Sequence, residues 1–210
     1  NPNRFEDAMP FSDRLTRAAD IARRAHNHQT RKGSDVPYLS HLFAVAALVM
    51  ESGGSEDQVC AALLHDVLED AGVSWSDEIR AELGEHVLAL VVACTDGLPD
   101  AEGHKESWRT RKHRYIEHCS QDTPLEREAL VICAADKLHN LRSLLIDLRE
   151  HGPAALLKFV KDEPELRGKG EATLWYYETL LSIFERRGVS TARLLRPAVD
   201  ALREIVRELP

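Results

Sequence analysis

The sequence predicts an all-α protein, a helical bundle of about ten helices that forms a single domain over residues 1–210. Apolar residues recur at intervals of three and four along nearly all of the 210 residues, the period of a helix with one buried face. The breaks between these runs carry side chains typical of helix ends. No composition shift or low-complexity tract indicates a second domain.

Five helices are predicted in the first half of the chain. Their ranges are 12–28, 38–52, 55–70, 76–84 and 85–95. Ser12 is a favourable cap for the first, and Gly53 follows the end of the second. Ser55 and Gln58 form a capping box at the start of the third. The fifth has the composition of a buried strand, but its length and helical neighbours favour a helix.

Five more helices are predicted after a loop over residues 98–107. Their ranges are about 108–119, 123–148, 153–161, 170–187 and 191–208. The longest has the clearest start, because Thr123 is a favourable cap, Pro124 suits the first helical position and Glu126 completes a capping box. The element order therefore contains helices alone.

Charge and hydropathy exclude two broad classes of function. The formal net charge of −8 opposes electrostatic binding of nucleic acid over a broad surface, because the phosphates repel an acidic protein. The longest apolar run, Val87 to Cys94, is far shorter than the ~20 residues needed to cross a bilayer. The first residues lack the zones of a signal peptide. We therefore expect a cytoplasmic protein with no nucleic-acid or membrane partner.

Polar residues interrupt the apolar pattern of the predicted third helix. His65, Asp66, Glu69 and Asp70 lie in an element that should be buried, and buried charges need partners or a metal ion. In a continuous helix they form two tiers one turn apart, ~6 Å along the axis. A cation held by the His-Asp tier leaves the Glu-Asp tier placed to orient a water molecule or take its proton.

Two other predicted helices carry similar polar residues. His41 lies between apolar residues of the second helix, and Asp136, Asn140 and Ser143 form one stripe on the longest helix. His41, His65, Asp66 and Asp136 are therefore candidate metal ligands. Two neutral imidazoles and two carboxylates balance a divalent cation, and this mixed nitrogen and oxygen set suits Mn²⁺, Fe²⁺ or Zn²⁺.

Simpler interpretations exist for each of these residues. A single helical histidine such as His41 is more often a hydrogen-bonded core residue than a ligand. Glu69 and Asp70 could begin the solvated end of their helix. The case for a metal site therefore depends on the joint pattern of three helices. The remaining histidines are interpreted as ordinary structural residues: His26, His28, His86, His104, His113, His118, His139 and His151.

Basic residues are concentrated in two places. Arg31 and Lys32 precede a turn, and residues 105–114 carry a net charge of +4. Such residues usually form a solvated helix face. In an acidic chain, they are also where an anionic small molecule would bind, and an arginine plane can stack on a base.

Five motifs between residues 26 and 143 form a recognisable set. They are His26-x-x-Gln29-x-Arg31-Lys32, Pro37-Tyr38-x-x-His41, His65-Asp66-Val67-Leu68-Glu69-Asp70, Arg111-Lys112 and Ala135-Asp136-Lys137-Leu138-His139-Asn140-Leu141-Arg142-Ser143. Together they resemble the HD metal-dependent phosphohydrolases, and more closely the hydrolase domain of the RelA/SpoT alarmone enzymes and the stand-alone small alarmone hydrolases. The resemblance implies an HD-domain helical bundle.

The resemblance also implies a reaction and a set of site residues. The reaction is hydrolysis of the 3′ diphosphate of ppGpp or pppGpp, giving GDP or GTP and pyrophosphate. The implied ligands of one Mn²⁺ are His41, His65, Asp66 and Asp136. The implied catalytic residues are Glu69 and Asp70, which assist the attacking water, and Asn140. The implied substrate-binding residues are Arg31 at the purine, Lys32, Arg111 and Lys112 near the phosphates, and Asn140 and Ser143 at the ribose and 3′ side.

Two other functions fit the same residues. One is an HD phosphohydrolase that acts on another nucleotide, such as an adenine alarmone or NADPH. The other is a non-catalytic module that senses a nucleotide or a metal, although binding alone does not require the Glu69–Asp70 pair. Trp175, Tyr176 and Tyr177 fit either a core or a pocket wall. No oligomeric state is predicted.

Overall fold

The computed structural model describes residues 11–95, 97 and 106–210. All regular secondary-structure elements in this part of the chain are helices. This confirms the predicted all-α class. The α-helices are α1 (Asp13–Ala25), α2 (Leu39–Glu51), α3 (Glu56–Leu64), α4 (Val67–Asp70), α5 (Ser76–Leu83), α6 (Glu85–Cys94), α7 (Trp108–Ser120), α8 (Pro124–His151), α9 (Leu166–Arg186) and α10 (Ala192–Arg207). Two 3-10 segments, Val73–Trp75 and Gly152–Lys158, precede α5 and α9. Across the described residues, no helix is long and apolar enough to span a bilayer.

Side-chain caps begin three of the helices where the sequence predicts them. The side-chain oxygens of Ser12, Ser55 and Thr123 each accept a hydrogen bond from a backbone N–H in the first turn of α1, α3 and α8. Ser55 and Gln58 form the complete, reciprocal capping box. Because these bonds join residues two or three apart, short sequence patterns are sufficient to predict them.

The predicted third helix, residues 55–70, is divided in the structure. α3 ends at Leu64 and α4 begins at Val67, so that His65 and Asp66 lie between the two helices. Adjacent side chains of a continuous helix point about 100° apart. At the break, His65 Nε2 and Asp66 Oδ2 instead lie 3.0 Å apart. The backbone N–H of Asp70 donates to the carbonyl of Asp66 at 2.9 Å, so their one-turn spacing is retained.

Two further differences from the predicted elements follow α8, and one predicted loop precedes α7. The predicted helix over 153–161 is a 3-10 segment, Gly152–Lys158, because Gly152 ends α8 with φ +67° and Pro153 has no backbone N–H to continue an α-helix. α9 begins at Leu166 rather than at 170. Of the predicted loop over 98–107, only residues 106 and 107 belong to the described part of the chain.

α8 is the central helix of the bundle. It has 28 residues, and at 1.5 Å per residue it is about 42 Å long. It packs against α2, α3, α6 and α10, and Leu138 and Leu141 are fully buried on it. A helix that is apolar around most of its circumference is typical of the interior. The buried charged pair near its middle, Asp136 and Lys137, therefore needs partners.

The C-terminal third packs onto this central helix. The Gly152–Lys158 segment contacts α8 and α9, and α10 also contacts α8 and α9. Leu156 in that segment is fully buried, whereas the neighbouring Leu157 is 55% exposed. These contacts join the C-terminal third to the rest of the described bundle, and the single domain over residues 1–210 stays a prediction.

The two neighbouring leucines provide a matched test of that prediction. Leu156→Ala is expected to lower the free energy of unfolding by about 2–5 kcal/mol, because it empties a buried leucine site. Leu157→Ala removes the same atoms from an exposed position, and we expect a change below about 0.5 kcal/mol. Chemical denaturation followed by circular dichroism measures both. Two separate unfolding transitions, or equal effects of the two substitutions, would contradict the single domain.

Candidate active site

Four polar side chains from separate helical segments meet at one point. His41 comes from α2, His65 and Asp66 from the break between α3 and α4, and Asp136 from α8. His41 Nε2 lies 3.1 Å from Asp136 Oδ1 and 3.6 Å from Asp66 Oδ2. His65 Nε2 lies 3.0 Å from Asp66 Oδ2 and 3.6 Å from Asp136 Oδ1. The structure thus brings together all four candidate ligands.

The hydrogen bonds on the far side of each imidazole direct Nε2 toward this point. His65 Nδ1 lies 2.8 Å from the backbone carbonyl of Ala62, which can only accept, so Nδ1 carries a proton. His41 Nδ1 lies 2.8 Å from Nδ1 of His139. Burial, followed by the neighbouring His41, lowers the pKa of His139 to about 4, so this ring is neutral at neutral pH.

The donor set fits a divalent cation. His41 and His65 are 0% and 2% exposed. Although carboxylate oxygens lie near both Nε2 atoms, neither atom forms a hydrogen bond with any described residue. A buried polar atom without a hydrogen bond is costly and needs another partner. Ligand atoms of His41, His65 and Asp66 lie within 4.8 Å of one another, a spacing that one metal ion can bridge. Asp136 Oδ1 adjoins both imidazoles.

The two carboxylates are held by further side chains. Tyr38 donates its hydroxyl hydrogen bond to Asp66 Oδ2 at 2.6 Å. Asn140 Nδ2 donates to Asp136 Oδ1 at 2.5 Å, and Lys137 Nζ donates to Asp136 Oδ2 at 2.5 Å. Burial, followed by Asp66, raises the pKa of Tyr38, so its hydroxyl remains a donor. These contacts fix the orientation of both carboxylates.

The electrostatics of the cluster favour ionised carboxylates. Burial alone raises the pKa of Asp66, but His65 and His41 outweigh it and lower that pKa well below its ordinary value. For Asp136, burial is outweighed by Lys137 and the same imidazoles, which also lower the pKa. Burial lowers the pKa of His65, but the two carboxylates outweigh it and raise that pKa. A divalent cation would therefore replace a proton shared within this cluster.

Glu69 and Asp70, the predicted water-activating pair, lie at the end of α4. Glu69 is partly buried and Asp70 is exposed. Gln29 Nε2 donates to Asp70 Oδ2 at 2.8 Å, and Gln29 Oε1 lies 2.5 Å from His26 Nδ1. The segment that follows α1 therefore fixes the Asp70 carboxylate through the hydrogen bond from Gln29. The action of this pair on water stays a prediction.

A cleft of about 660 Å³ adjoins the four-residue cluster. Its volume is in the range of about 300–1,000 Å³ that is typical of small-molecule sites. Four of its lining residues directly contact a candidate ligand: Tyr38, Lys137, His139 and Asn140. At these four residues, a single layer of side chains therefore separates the cleft from the cluster.

Most of the predicted substrate-binding residues line this cleft. They are Arg31, Lys32, Lys112, Asn140 and Ser143. The Arg31 side chain donates to Asn140 Oδ1 at 2.8 Å and lies over the Tyr38 ring at 5.6 Å. Arg111 is not part of the lining, and its Nε donates to the carbonyl of Glu106 at 3.3 Å. Its neighbour Lys112 faces the cleft because adjacent residues of α7 point in different directions.

Aromatic residues form part of the cleft wall. Tyr176 and Tyr177 of α9 and Trp108 of α7 line it, and Lys112 Nζ lies 4.9 Å from the centre of the Tyr176 ring. Trp175 is not in the lining, and its ring packs edge-on against Trp108. The two tyrosines are thus pocket wall, whereas Trp175 packs behind it.

Sequence reasoning assigned no role to three residues that contact the cluster. The sequence motifs contain Tyr38 and Lys137 without assigning them a role, and His139 is interpreted as an ordinary structural residue. A usable signal exists for His139, because it follows Asp136 by three positions and so lies on the same face of α8. For Tyr38 and Lys137, which contact Asp66 and Asp136, the sequence pattern offers no signal of this kind.

Residues 18–157, which include the whole cluster, match the sequence profile of the HD domain family. The chain belongs to the HD domain family. The matched range covers more than half of the 210 residues, and the all-α architecture described above agrees with it. The first part of the predicted resemblance is therefore confirmed.

Curated relatives of this HD domain protein carry alarmone names. The bifunctional (p)ppGpp synthase/hydrolase SpoT of Escherichia coli K12 is 35% identical over 133 residues, and a probable guanosine-3′,5′-bis(diphosphate) 3′-pyrophosphohydrolase of Synechocystis is 33% identical over 135. Each match covers 62% of the chain but only 18% and 16% of the relative. The chain thus spans less than a fifth of their length.

Two solved structures resemble the HD domain protein in fold. A metazoan ortholog of SpoT, described as hydrolysing ppGpp, has a TM-score of 0.66 at 24% identity, with 94% of this chain and 96% of that chain covered. A Listeria monocytogenes EGD-e protein has a TM-score of 0.59 at 24% identity, with 80% and 99% covered. At 24% identity, these two matches show similarity of fold alone.

Removal of one carboxylate tests the candidate metal site. We expect the purified wild-type chain to retain one Mn²⁺ after dialysis and Asp66→Ala to retain none at the same free concentration, because its carboxylate is one of the ligand groups. Asp77→Ala is the matched control, since Asp77 is 94% exposed on α5. Elemental analysis measures the metal content. Wild-type content in Asp66→Ala would refute the assignment.

Proposed function

We propose that this HD domain protein is a Mn²⁺-dependent (p)ppGpp 3′-pyrophosphohydrolase. It hydrolyses the bond between the ribose 3′ oxygen and the diphosphate, giving GDP or GTP and pyrophosphate. The observation that carries the proposal is the contact between the cleft lining and the candidate metal ligands, through Tyr38, His139 and Asn140. The alarmone names of the relatives supply the substrate class.

Positive side chains in the cleft suit a nucleotide with phosphates on two ribose positions. Arg31, Lys32, Lys112, Lys137 and Lys158 all line it, in a chain whose net charge is −8. In the proposal, Arg31 flanks the purine, while Lys32 and Lys112, with Arg111 beside them, attract the phosphates. A local cationic cleft in an acidic protein concentrates an anionic ligand at that place.

The polar residues near Asp136 complete the proposed substrate site. Asn140 contacts both Arg31 and Asp136, so it joins the base side of the cleft to the metal side. Ser143 lies one turn further along α8 and also lines the cleft. Asn140 and Ser143 are therefore proposed to approach the ribose and the 3′ phosphates. Tyr176 and Tyr177 provide apolar surface opposite these groups.

The proposed chemistry divides between a cation and two carboxylates. His41, His65, Asp66 and Asp136 would hold the cation, with Mn²⁺ proposed and Fe²⁺ or Zn²⁺ as alternatives of the same ligand preference. When bound, such a cation supplies a Lewis acid that polarises a phosphoryl oxygen and lowers the pKa of water. Glu69 and Asp70 orient the attacking water and accept its proton. Gln29 holds Asp70 in place for this task.

A nucleotide panel tests the proposed reaction. We expect purified protein with Mn²⁺ to convert ppGpp and pppGpp to GDP and GTP with release of pyrophosphate, and Asp66→Ala to be inactive. The same assay contains ppApp and NADPH, and chromatography of the products identifies which is cleaved. Cleavage of ppApp or NADPH without cleavage of ppGpp would contradict the guanine alarmone. Tight binding of ppGpp without any turnover would instead support a sensor module.

The role of the carboxylate pair has a separate test. Glu69→Gln is expected to retain Mn²⁺ and nucleotide binding but to turn over about 10²-fold more slowly, because the amide cannot accept a proton from water. Glu51→Gln, at an exposed position at the end of α2, is the matched control. Steady-state rates and equilibrium binding are measured on the same preparations. An unchanged rate in Glu69→Gln would remove the proposed role.

A further inference from the structure

A bound cation would fix where the proton of His41 must be. The ring is fully buried, and its Nε2 lies 3.1 Å from Asp136 Oδ1 and 3.6 Å from Asp66 Oδ2. A neutral imidazole has one N–H, and only the nitrogen without it can bind a cation. If Nε2 faces the cation, the proton of His41 is on Nδ1.

That proton has a defined acceptor in the structure. His41 Nδ1 lies 2.8 Å from Nδ1 of His139, and the two ring centres are 4.9 Å apart. Two nitrogens at this distance share a single proton, because two N–H groups facing each other would repel. His139 Nδ1 must therefore accept, which places the proton of His139 on its Nε2.

We propose that His139 is the positioning residue of the metal centre: it accepts the Nδ1–H hydrogen bond of His41 and thereby holds Nε2 of His41 unprotonated and directed at the cation. The inference rests on the metal centre of the proposed function, but it does not depend on which nucleotide is cleaved. It assigns a role to a histidine that the sequence interpretation treated as an ordinary structural residue.

Comparison of the two histidine ligands supports this role. The Nδ1 of His65 donates to the carbonyl of Ala62, an internal backbone acceptor. The Nδ1 of His41 instead donates to the side chain of His139, which lies on another helix. His139 follows Asp136 by three positions, so one face of α8 supplies both a carboxylate ligand and the acceptor for an imidazole ligand.

The packing around His41 makes that acceptor important. The rings of Tyr38 and His65 pack edge-on against it, with centres 5.5 and 5.1 Å away. Neither ring offers His41 an acceptor, because the Tyr38 hydroxyl donates to Asp66 and Nδ1 of His65 donates to the carbonyl of Ala62. Loss of the His139 acceptor would leave a buried N–H unsatisfied and allow the proton of His41 to move to Nε2.

Substitution of His139 tests the proposal by metal affinity rather than by activity. His139→Phe retains a ring of similar shape but has no acceptor, and we expect its Kd for Mn²⁺ to rise about 10–100-fold, the usual effect of losing such a partner. His139→Gln keeps an acceptor oxygen and should recover most of the affinity. His86→Phe, at an exposed histidine of α6 paired with Glu128 near the start of α8, is the control. Titration calorimetry on the metal-free full chain measures each Kd.

Nuclear magnetic resonance of the wild-type chain gives a second measurement that needs no variant. With the diamagnetic probe Zn²⁺ bound, long-range ¹H–¹⁵N correlations report which ring nitrogen carries the proton. We expect the proton of His41 on Nδ1 and that of His139 on Nε2. A proton on Nδ1 of His139 would overturn the proposal even if His139→Phe does not fold.

The outcomes separate this inference from the proposed function. Wild-type Mn²⁺ affinity in folded His139→Phe overturns the positioning role and leaves the metal centre standing. Absence of Mn²⁺ and Zn²⁺ binding by the wild-type chain overturns the metal centre and the role of His139 together. Metal binding with the predicted histidine tautomers, but without hydrolysis of any nucleotide, overturns only the proposed reaction.

Discussion

Two ionised carboxylates placed among apolar helices are the constraint on which this structure depends. Asp66 and Asp136 approach two buried imidazoles within 3.0–3.6 Å, in a region where an uncompensated charge costs several kcal/mol. One divalent cation at their meeting point would balance both charges and give each Nε2 a partner. The division between α3 and α4 serves the same arrangement, since it brings adjacent His65 and Asp66 side chains together.

α8 joins the stability of the bundle to its chemistry. Leu138 and Leu141 pack in the core, while Asp136 belongs to the four-residue cluster, and His139 and Asn140 lie between that cluster and the cleft. The helical period separates these two functions on one element. The position of the cluster is therefore fixed by the packing of the core, and the cleft follows from how α7 and α9 pack beside α8.

The sequence predicted the fold and the candidate ligands better than it predicted the surroundings of the site. Capping by Ser55 and Thr123 is local, so helix starts could be predicted from a few residues. The break after Leu64 has no glycine or proline to mark it, so the local sequence could not predict it. Arg111 and Lys112 are equivalent in a basic stretch, and only the rotation of α7 decides which one faces the cleft. The spacing from Asp136 puts His139 on the ligand face of α8, but its contact with His41 depends on how α2 packs against α8.

The most direct measurement is anomalous X-ray scattering from crystals of the chain grown with Mn²⁺. The account predicts one anomalous peak, bonded to Nε2 of both histidines and to oxygens of Asp66 and Asp136, at the wall of the cleft. A peak bonded elsewhere, or no peak among these four side chains at a Mn²⁺ concentration that saturates binding, would contradict it.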